Sequence, residues 1–308
     1  MNQINESVLI CGVVKNVGNP LIHNINSAIK MGEILFTDYR ILIYENNSTD
    51  NTKEILNNFS LHPKIVIQSE DIDLETKSNF KLWAYTEITG SNHPCRMELI
   101  SNARNKLVDE MNREKYDDFG YVIWIDFDSN GWEYNGILDC FSVQNKEKWD
   151  VVFANNPTNY YDMYAYRGEN NLFGPEIIGE IFWTNMPRFQ IPKNDGLIPV
   201  YSAFGGLGIY KKEVFKTHRF DFVVNNTIQE VYKQILDKYP FLNKEDIISK
   251  EDIKFPGGFY DNKTGIFWKS NSGYNGPVVC EHVGLNFALI HSGYRLFINP
   301  NIMYYRGD

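Results

Sequence analysis

The sequence of 308 residues contains only four cysteines, and no two of them form a CxxC pair. They lie far apart, at Cys11, Cys95, Cys140 and Cys280. This spacing excludes the usual zinc-binding motifs, and so few cysteines do not make a secreted disulfide scaffold. We therefore expect four reduced, buried thiols.

Long apolar runs and excess positive charge are also missing. No run approaches the ~20 residues that span a membrane, and the first residues, Met1–Ser7, are polar. We expect a soluble, cytoplasmic or otherwise intracellular chain without a membrane span. Lys and Arg total 30 against 39 Asp and Glu, a formal charge of −9, and no Lys/Arg-rich stripe is present. This balance argues against nucleic-acid binding.

The most informative stretch is a run of five apolar or aromatic residues, Tyr121–Ile125, followed by Asp126, Phe127 and Asp128. This pattern is typical of a strand that is buried on both faces and ends at a functional edge. Carboxylates are hard oxygen ligands that suit Mg²⁺ or Mn²⁺, ions that also bind diphosphates. We predict a metal–diphosphate site at Asp126 and Asp128, although Asp-x-Asp alone also occurs in solvated loops.

Alternating buried strands and amphipathic helices predict an α/β fold with a doubly wound start. Strands are expected at Ser7–Val14, Tyr39–Tyr44, Lys64–Ile67 and Trp149–Ala154, and helices at Leu21–Met31, Lys53–Phe59 and Tyr134–Phe141. In such folds the working loops lie at the carboxyl ends of the strands.

The loop after the second strand, residues 45–52, is rich in hydrogen-bonding groups. Glu45 at the strand end could accept hydrogen bonds from a nucleoside base or ribose. Asn47 and Asp50 belong to a turn that leads into a helix N-terminus. An ordinary turn with good helix-capping groups would look the same, so both interpretations stay open.

An amphipathic helix is predicted at Arg96–Met111. Its apolar stripe comprises Leu99, Ile100, Ala103, Leu107 and Met111. Arg96 and Arg104 lie eight residues apart and are predicted to share another face, where guanidinium groups suit a diphosphate or an active-site carboxylate. The alternative is two solvated arginines.

The aromatic segment Tyr160–Gly168 could line a sugar pocket in which Asp162 accepts hydroxyl hydrogen bonds. Alternatively, it is an aromatic-rich strand in which Asp162 and Arg167 pair at the rim.

Glycines interrupt the apolar run Val200–Tyr210. Because glycine weakens a strand, a ligand or another stretch of backbone is expected to approach closely at Gly205 and Gly206. The spacing is not that of a phosphate loop, because neither GxGxxG nor GxxxxGK[ST] is present.

Glu281 and His282 are predicted to begin a helix that ends at Gly293, a C′ glycine. Glu281 could contact an acceptor hydroxyl or orient the donor sugar, or could simply complement the helix dipole. A neutral His282 imidazole could complete the coordination of the metal or act as a base near neutral pH. A satisfied core histidine is the alternative.

In order and spacing, these stretches resemble an A-type (GT-A) nucleotide-sugar glycosyltransferase, and most closely the fungal capsule-associated α-mannosyltransferase family. The resemblance covers roughly residues 95–305. Its motifs are Arg96…Leu99…Ala103-Arg104-Asn105…Leu107, Tyr161-Asp162…Arg167, Pro199-Val200-Tyr201-Ser202…Gly206 and Cys280-Glu281…Leu289…Gly293…Asn299-Pro300…Tyr304. The loop at 45–52 is similar to the Asp-x-Gly-Ser-x-Asp-x-Thr loop of A-type enzymes, with Glu45 at the acidic position and Asn47 in place of the glycine.

The resemblance implies a single domain over residues 1–308 with a Rossmann-like mixed sheet flanked by helices. Residues 1–130 would form the nucleotide-sugar-binding half, and 131–308 the acceptor-binding and catalytic half. It implies metal-dependent transfer of a hexose, mannose by analogy, from a nucleoside-diphosphate sugar such as GDP-mannose or a UDP-sugar to a hydroxyl of a glycan acceptor. It implies retention at the anomeric carbon, but His282 stands where many inverting A-type enzymes carry a catalytic Asp, so inversion stays open.

The predicted site residues fall into three groups. Those for the nucleotide sugar are Glu45, Asn47, Asp50, Arg96, Arg104, Asp126, Gly205 and Gly206. Those for Mn²⁺ or Mg²⁺ are Asp126, Asp128 and His282, and those for catalysis are Glu281, His282 and Asp162.

Two other classes of protein fit parts of the sequence. A sugar nucleotidyltransferase would need a Gly-rich, basic phosphate loop near the N-terminus, and residues 11–16 do not provide one. A non-catalytic carbohydrate-binding protein is disfavoured by the pair Asp126 and Asp128. The tripeptide Arg306-Gly307-Asp308 matches an adhesion motif, but so short a match carries no functional weight.

Overall fold

The computed structural model describes residues 3–80, 83–86, 91–179, 182, 188–193, 196–239, 259–261, 266–268 and 277–307. Strands run over β1 Ile4–Val14, β2 Phe36–Asn46, β3 Ile65–Glu70, β4 Trp83–Thr86, β5 Ser91–Pro94, β6 Tyr121–Ile125, β7 Ser129–Trp132, β8 Val151–Asn155, β9 Ile198–Pro199, β10 Leu207–Lys211, β11 Phe259–Asp261, β12 Ile266–Trp268 and β13 Leu296–Arg306. Helices run over Pro20–Leu35, Thr52–Phe59, Leu74–Ser78, Arg96–Met111, Asn135–Cys140, Pro175–Ile178, Val214–Thr217, Asn226–Lys238 and Glu281–His291, with a 3₁₀ turn at Glu114–Tyr116.

Within these ranges a nine-stranded sheet has the order β3-β2-β1-β6-β10-β8-β13-β7, with β9 paired to β13. β1 is parallel to both β2 and β6, whereas β10 is antiparallel to β6. The predicted mixed sheet flanked by helices is thereby confirmed. Because β1, β2 and β6 are parallel, the loops that follow them meet at one edge of the sheet.

The sheet is buried on both faces, as the apolar strands require. Alternate residues of β1 belong to opposite core clusters: Leu9 and Cys11 pack on one side, and Val8 and Ile10 on the other. All four cysteines are buried and none is in a disulfide within the described residues.

Some predicted elements differ from the structure. Residues 160–168 form turns and short bridges rather than a strand, and the apolar run from Val200 becomes a strand only at Leu207. The structure also contains a short helix that was not predicted, Leu74–Ser78, whose N-cap Asp73 accepts from the Thr76 amide. The stretch 240–258 lies outside the described residues.

Among the helices that the structure describes, each is too short or too polar to cross a bilayer.

Candidate active site

Residues 126–128 connect β6 to β7, and we call them the acidic link. The amide of Asp126 donates to the carbonyl of Gly206 at 2.9 Å, and the hydroxyl of Tyr304 donates to the carbonyl of Asp126 at 3.0 Å. These bonds fix the backbone from which the two carboxylates project. The side chain of Asp126 keeps 30% of its surface exposed, and Asp128 is exposed.

The centre of the acidic link is anchored in the core. The ring of Phe127 is buried and covers Gly12 of β1, where a Cβ would lie 2.3 Å from the ring. Asn24, fully buried on the helix Pro20–Leu35, donates through Nδ2 to the carbonyls of Phe127 at 2.7 Å and Ser129 at 2.8 Å. One amide group therefore holds both ends of the turn that presents Asp128.

The buried guanidinium of Arg104 connects two carboxylates of the site. Its Nη2 donates to Asp126 Oδ1 and its Nε to Glu281 Oε1, both at 3.3 Å. Three aromatic rings lie 5.1 to 5.4 Å from its Cζ: Trp124, Phe204 and Phe220. Arg104 is only 4% exposed, and its guanidinium contacts carboxylates of the candidate site, which is one of the two roles predicted for it; binding of a diphosphate stays a prediction.

Carboxylates outnumber cations around Asp126. Burial raises the pKa of Asp126 to about 7, against the lowering effect of the Arg104 guanidinium. The charges of Asp128, Asp162 and Glu281 add to the rise. The site therefore carries more negative charge than Arg104 compensates, which is the environment that favours binding of a cation.

Asp162 is held against the glycine turn that precedes β10. Its Oδ2 accepts from the amide of Gly205 at 3.1 Å. Burial raises the pKa of Asp162 to about 6, opposed by the hydrogen bond from Gly205 and increased by Glu281. A Cβ at Gly205 would lie 2.6 Å from the carbonyl oxygen of Ala154, so the close approach predicted here is made by the protein backbone.

Gly206 shows a second close approach. Its φ is +86°, and a Cβ would lie 2.1 Å from the ring of Tyr304. The glycine thus lets Tyr304 reach the acidic link. In the described structure Gly205 and Gly206 contact other parts of the protein, which explains why the apolar run is interrupted.

Glu281 and His282 begin the helix Glu281–His291, as predicted. The imidazole of His282 stacks on Phe204, with centroids 3.8 Å apart and planes at 17°. Its Nε2 lies 3.5 Å from Glu281 Oε1, but neither ring nitrogen forms a hydrogen bond with the described residues. Burial, and then the charge of Arg104, hold the pKa of His282 well below its usual range, so the ring is neutral at pH 7.

The three predicted metal ligands are not brought together. Among the described residues, no three His, Cys, Asp or Glu side chains are close enough to hold one ion. The imidazole of His282 stacks on Phe204 and forms no such group with the two aspartates. The pair Asp126 and Asp128 offers hard oxygen atoms with access to solvent, and this donor set fits Mg²⁺ or Mn²⁺.

The structure places Glu45 differently from the prediction. Glu45 is fully buried, and it accepts from the amide of Ser48 at 2.7 Å and from the hydroxyl of Ser69. Its carboxylate shapes the loop at 45–52 from within and does not face a nucleoside. Burial at the end of β2 is the physical reason, because an unpaired carboxylate there would be costly.

The rest of that loop lies at the sheet edge. Asn47 has a φ of +54° and exchanges hydrogen bonds with the backbone of Ile72, at 3.1 and 3.3 Å. Asp50 is exposed and accepts from the amide of Thr52 at 3.0 Å. These contacts are those of an ordinary turn, since the N-cap of the next helix is Asn51, whose side chain forms no capping hydrogen bond. They leave Asp50 open to solvent.

Arg96 and Arg104 do not share an environment. Arg96 is exposed at the first turn of its helix, whereas Arg104 is buried. Eight residues correspond to about 2.2 turns, so the two side chains are rotated and separated along the axis.

The predicted alternative pair of Asp162 and Arg167 is also absent. Arg167 is fully buried and pairs with Glu176 through Nη2, at 2.7 and 2.9 Å from the two carboxylate oxygens. Its Nε donates to the hydroxyl of Tyr232 at 2.8 Å. This network belongs to the core and not to the rim of a pocket.

Sequence reasoning missed two residues that hold the acidic link, Asn24 and Tyr304. Asn24 had a signal, since it is a polar residue on the apolar stripe formed by Leu21, Ile25 and Ala28. Tyr304 belongs to a resemblance motif but had no assigned role.

Comparison with known families defines the class of the chain as glycosyltransferase. The family model described as Cryptococcal mannosyltransferase 1 matches residues 10–238. The chain belongs to this family, which confirms the predicted recognition. The match begins earlier than the predicted resemblance and stops before Cys280. A search of curated protein sequences gives no significant match.

Solved structures are similar at low identity. The structure of S. aureus TarS 1–349 is 13% identical with a TM-score of 0.42, covering 98% of this chain and 60% of that chain. The mannosyltransferase PcManGT from Pyrobaculum calidifontis, in complex with GDP-Man and Mn²⁺, is 11% identical with a TM-score of 0.44, covering 98% of this chain and 57% of that one. The chain thus spans about three fifths of the length of these proteins.

Proposed function

We propose that this protein transfers a hexose from a nucleoside-diphosphate sugar to a hydroxyl of a glycan acceptor, with Mn²⁺ or Mg²⁺ held at Asp126 and Asp128. The observation that carries the proposal is the excess of carboxylates around the acidic link, at the carboxyl end of β6. A divalent cation and an anionic diphosphate together would compensate that charge. Family membership supports mannose as the sugar and GDP-mannose as the donor, and a UDP-sugar is the alternative donor.

Asp126 and Asp128 would hold the cation through carboxylate oxygens. When bound, the cation neutralises charge on the departing nucleoside diphosphate. Arg104 keeps Asp126 and Glu281 in fixed positions, because its guanidinium donates to both. A carboxylate that is held in place binds its ligand without first losing side-chain freedom.

The sugar and the acceptor are assigned to Asp162, Glu281 and His282. Asp162, fixed by the amide of Gly205, would accept hydrogen bonds from sugar hydroxyls. Glu281 would orient the sugar or the acceptor. His282 is neutral, and its two ring nitrogens form no hydrogen bond with the described residues, so it would accept a hydrogen bond from the acceptor hydroxyl and orient it for attack.

The nucleoside is assigned to the loop at 45–52. Glu45 is engaged internally, so Asp50 and backbone groups of the loop are the proposed contacts, together with the exposed Arg96. In this division residues 1–130 bind the nucleotide sugar, and residues 131–308 complete the acceptor side of a single domain.

The experiment is a hydrolysis and transfer screen of the purified chain against a panel of sugar nucleotides with Mn²⁺. We expect turnover of one donor, its loss in Asp128→Ala, and full activity in Asp117→Asn, a change of another exposed aspartate. Metal-dependent binding without turnover would favour the carbohydrate-binding class, and synthesis of a sugar nucleotide from a sugar phosphate the nucleotidyltransferase class. Activity retained in Asp128→Ala would contradict the proposed site.

The role of His282 has its own test, His282→Phe, which preserves stacking on Phe204. We expect transfer to fall at least ~100-fold while Mn²⁺ affinity is unchanged. Weakened Mn²⁺ binding would instead make His282 a metal ligand.

A further inference from the structure

Arg306 lies beside the acidic link, although the sequence suggested no role for it. β13 pairs with β7 through Arg306 and Ser129, and the carbonyl of Arg306 accepts from Asn130 Nδ2 at 3.0 Å. At the next residue, Gly307, a Cβ would lie 2.0 Å from the carbonyl oxygen of Asp128. Only glycine fits there, so the backbone of this segment is packed directly on the acidic link.

The guanidinium of Arg306 is also positioned through its side chain. Its Cζ lies 5.2 Å from the centroid of the Tyr161 ring. That ring stacks on Tyr304, with centroids 6.3 Å apart and planes at 23°. Tyr304 in turn donates to the carbonyl of Asp126. Two independent sets of contacts, backbone and aromatic, therefore connect Arg306 to the Asp pair.

The two arginines near the acidic link differ in accessibility. Arg104 is 4% exposed and already paired with Asp126 and Glu281, whereas Arg306 is exposed. A guanidinium that stacks on an aromatic ring keeps its N–H edge free, and that edge matches two phosphate oxygens. Arg306 therefore has the accessibility that contact with a diphosphate requires and that Arg104 lacks.

We propose that Arg306, and not the buried Arg104, binds the diphosphate of the donor at the acidic link. The inference rests on the proposed function, because it needs a nucleoside diphosphate at Asp126 and Asp128. The guanidinium contacts the phosphate oxygens, and its stacking on the Tyr161 ring positions it for these contacts.

The test is calorimetric titration of the full chain with guanosine, GMP and GDP in the presence of Mn²⁺, and with the uridine series in parallel. The variants are Arg306→Gln, Arg306→Lys and, as a control, Arg113→Gln, an exposed arginine that pairs with Glu110. Titration with Mn²⁺ alone checks that the cation site is intact.

In Arg306→Gln we expect the affinity for the diphosphate to fall roughly tenfold or more, because a charge-assisted hydrogen bond is lost. The loss should be smaller for the monophosphate and absent for the nucleoside, with partial recovery in Arg306→Lys and no change in the control. An affinity within about twofold of wild type, or an equal loss for nucleoside, monophosphate and diphosphate, would overturn the inference. If the unmodified chain bound neither GDP nor UDP with Mn²⁺, the proposed function itself would fail.

Discussion

The guanidinium of Arg104 and the carboxylate of Asp126 form an ion pair at 3.3 Å, and Arg104 pairs at the same distance with Glu281. One buried cation thus joins the acidic link to the start of the helix Glu281–His291. Since burial of an unpaired charge is costly, removing the cation leaves two carboxylates without compensation.

We therefore expect Arg104→Met to lower the free energy of unfolding by about 3 kcal/mol. Urea unfolding measures it, and Arg96→Met is the matched control, because it makes the same change at an exposed position of the same helix. The control should stay within about 0.5 kcal/mol of wild type. Equal, small effects of the two changes would show that the Arg104 pairs do not stabilise the fold.

Asn24→Ala should destabilise the turn that presents Asp128. The change leaves two buried carbonyls, those of Phe127 and Ser129, without their donor, at a cost of about 1–3 kcal/mol. Mn²⁺ binding should weaken as well, because the carboxylate is less well positioned. Asn26→Ala is the control, since Asn26 lies two residues away, is exposed and donates within its helix to the carbonyl of Ile22. An Asn24→Ala protein with wild-type stability and Mn²⁺ affinity would refute this role.

Gly206→Ala should cost more than Gly293→Ala, although both glycines have a φ of +86°. At Gly293 no atom of the described residues lies within 4 Å of the added Cβ, so backbone strain of about 1 kcal/mol is expected. At Gly206 the added Cβ meets the ring of Tyr304, which must move away from Asp126. Thermal unfolding of the two variants measures the difference, and equal effects would mean that Tyr304 adapts freely.

Asp150 predicts a pH dependence of stability. Burial would raise its pKa, but hydrogen bonds from Arg295 and Lys211 outweigh burial and lower the pKa from 3.8 to about 2. A carboxylate with a depressed folded pKa stabilises the fold above the unfolded value, so its contribution of about 2 kcal/mol is lost as pH falls from about 4 to about 2. Unfolding curves of wild type and Asp150→Asn should converge over that range. A stability difference that is independent of pH would contradict the depressed pKa, and Asp117→Asn, at an exposed aspartate, is the control.

Local patterns predicted much of the fold. The helix Arg96–Met111 and the strand Tyr121–Ile125 follow from the spacing of apolar residues. Gly293 marks the end of its helix because the backbone there adopts a positive φ, which glycine accepts without strain. Each of these features depends on neighbours in the chain, which is why sequence reasoning finds them.

The details of the candidate site depend on contacts between distant parts of the chain. Asn24 reaches Phe127 across 103 residues, and Tyr304 reaches Asp126 across 178. Burial of Arg104 and Glu45 depends on the packing of whole elements, which spacing does not reveal. The sequence therefore indicated the acidic link itself, but not the groups that hold it or the exposed guanidinium of Arg306.

The central claim is that Asp126 and Asp128 hold a divalent cation that binds a nucleoside diphosphate. Titration of GDP and UDP into the full chain, with and without Mn²⁺, tests it directly in wild type and in folded Asp126→Asn and Asp128→Asn. We predict that Mn²⁺ strengthens binding of one nucleotide in wild type and has no such effect in either variant. Undiminished Mn²⁺-dependent nucleotide binding in both variants would contradict the account.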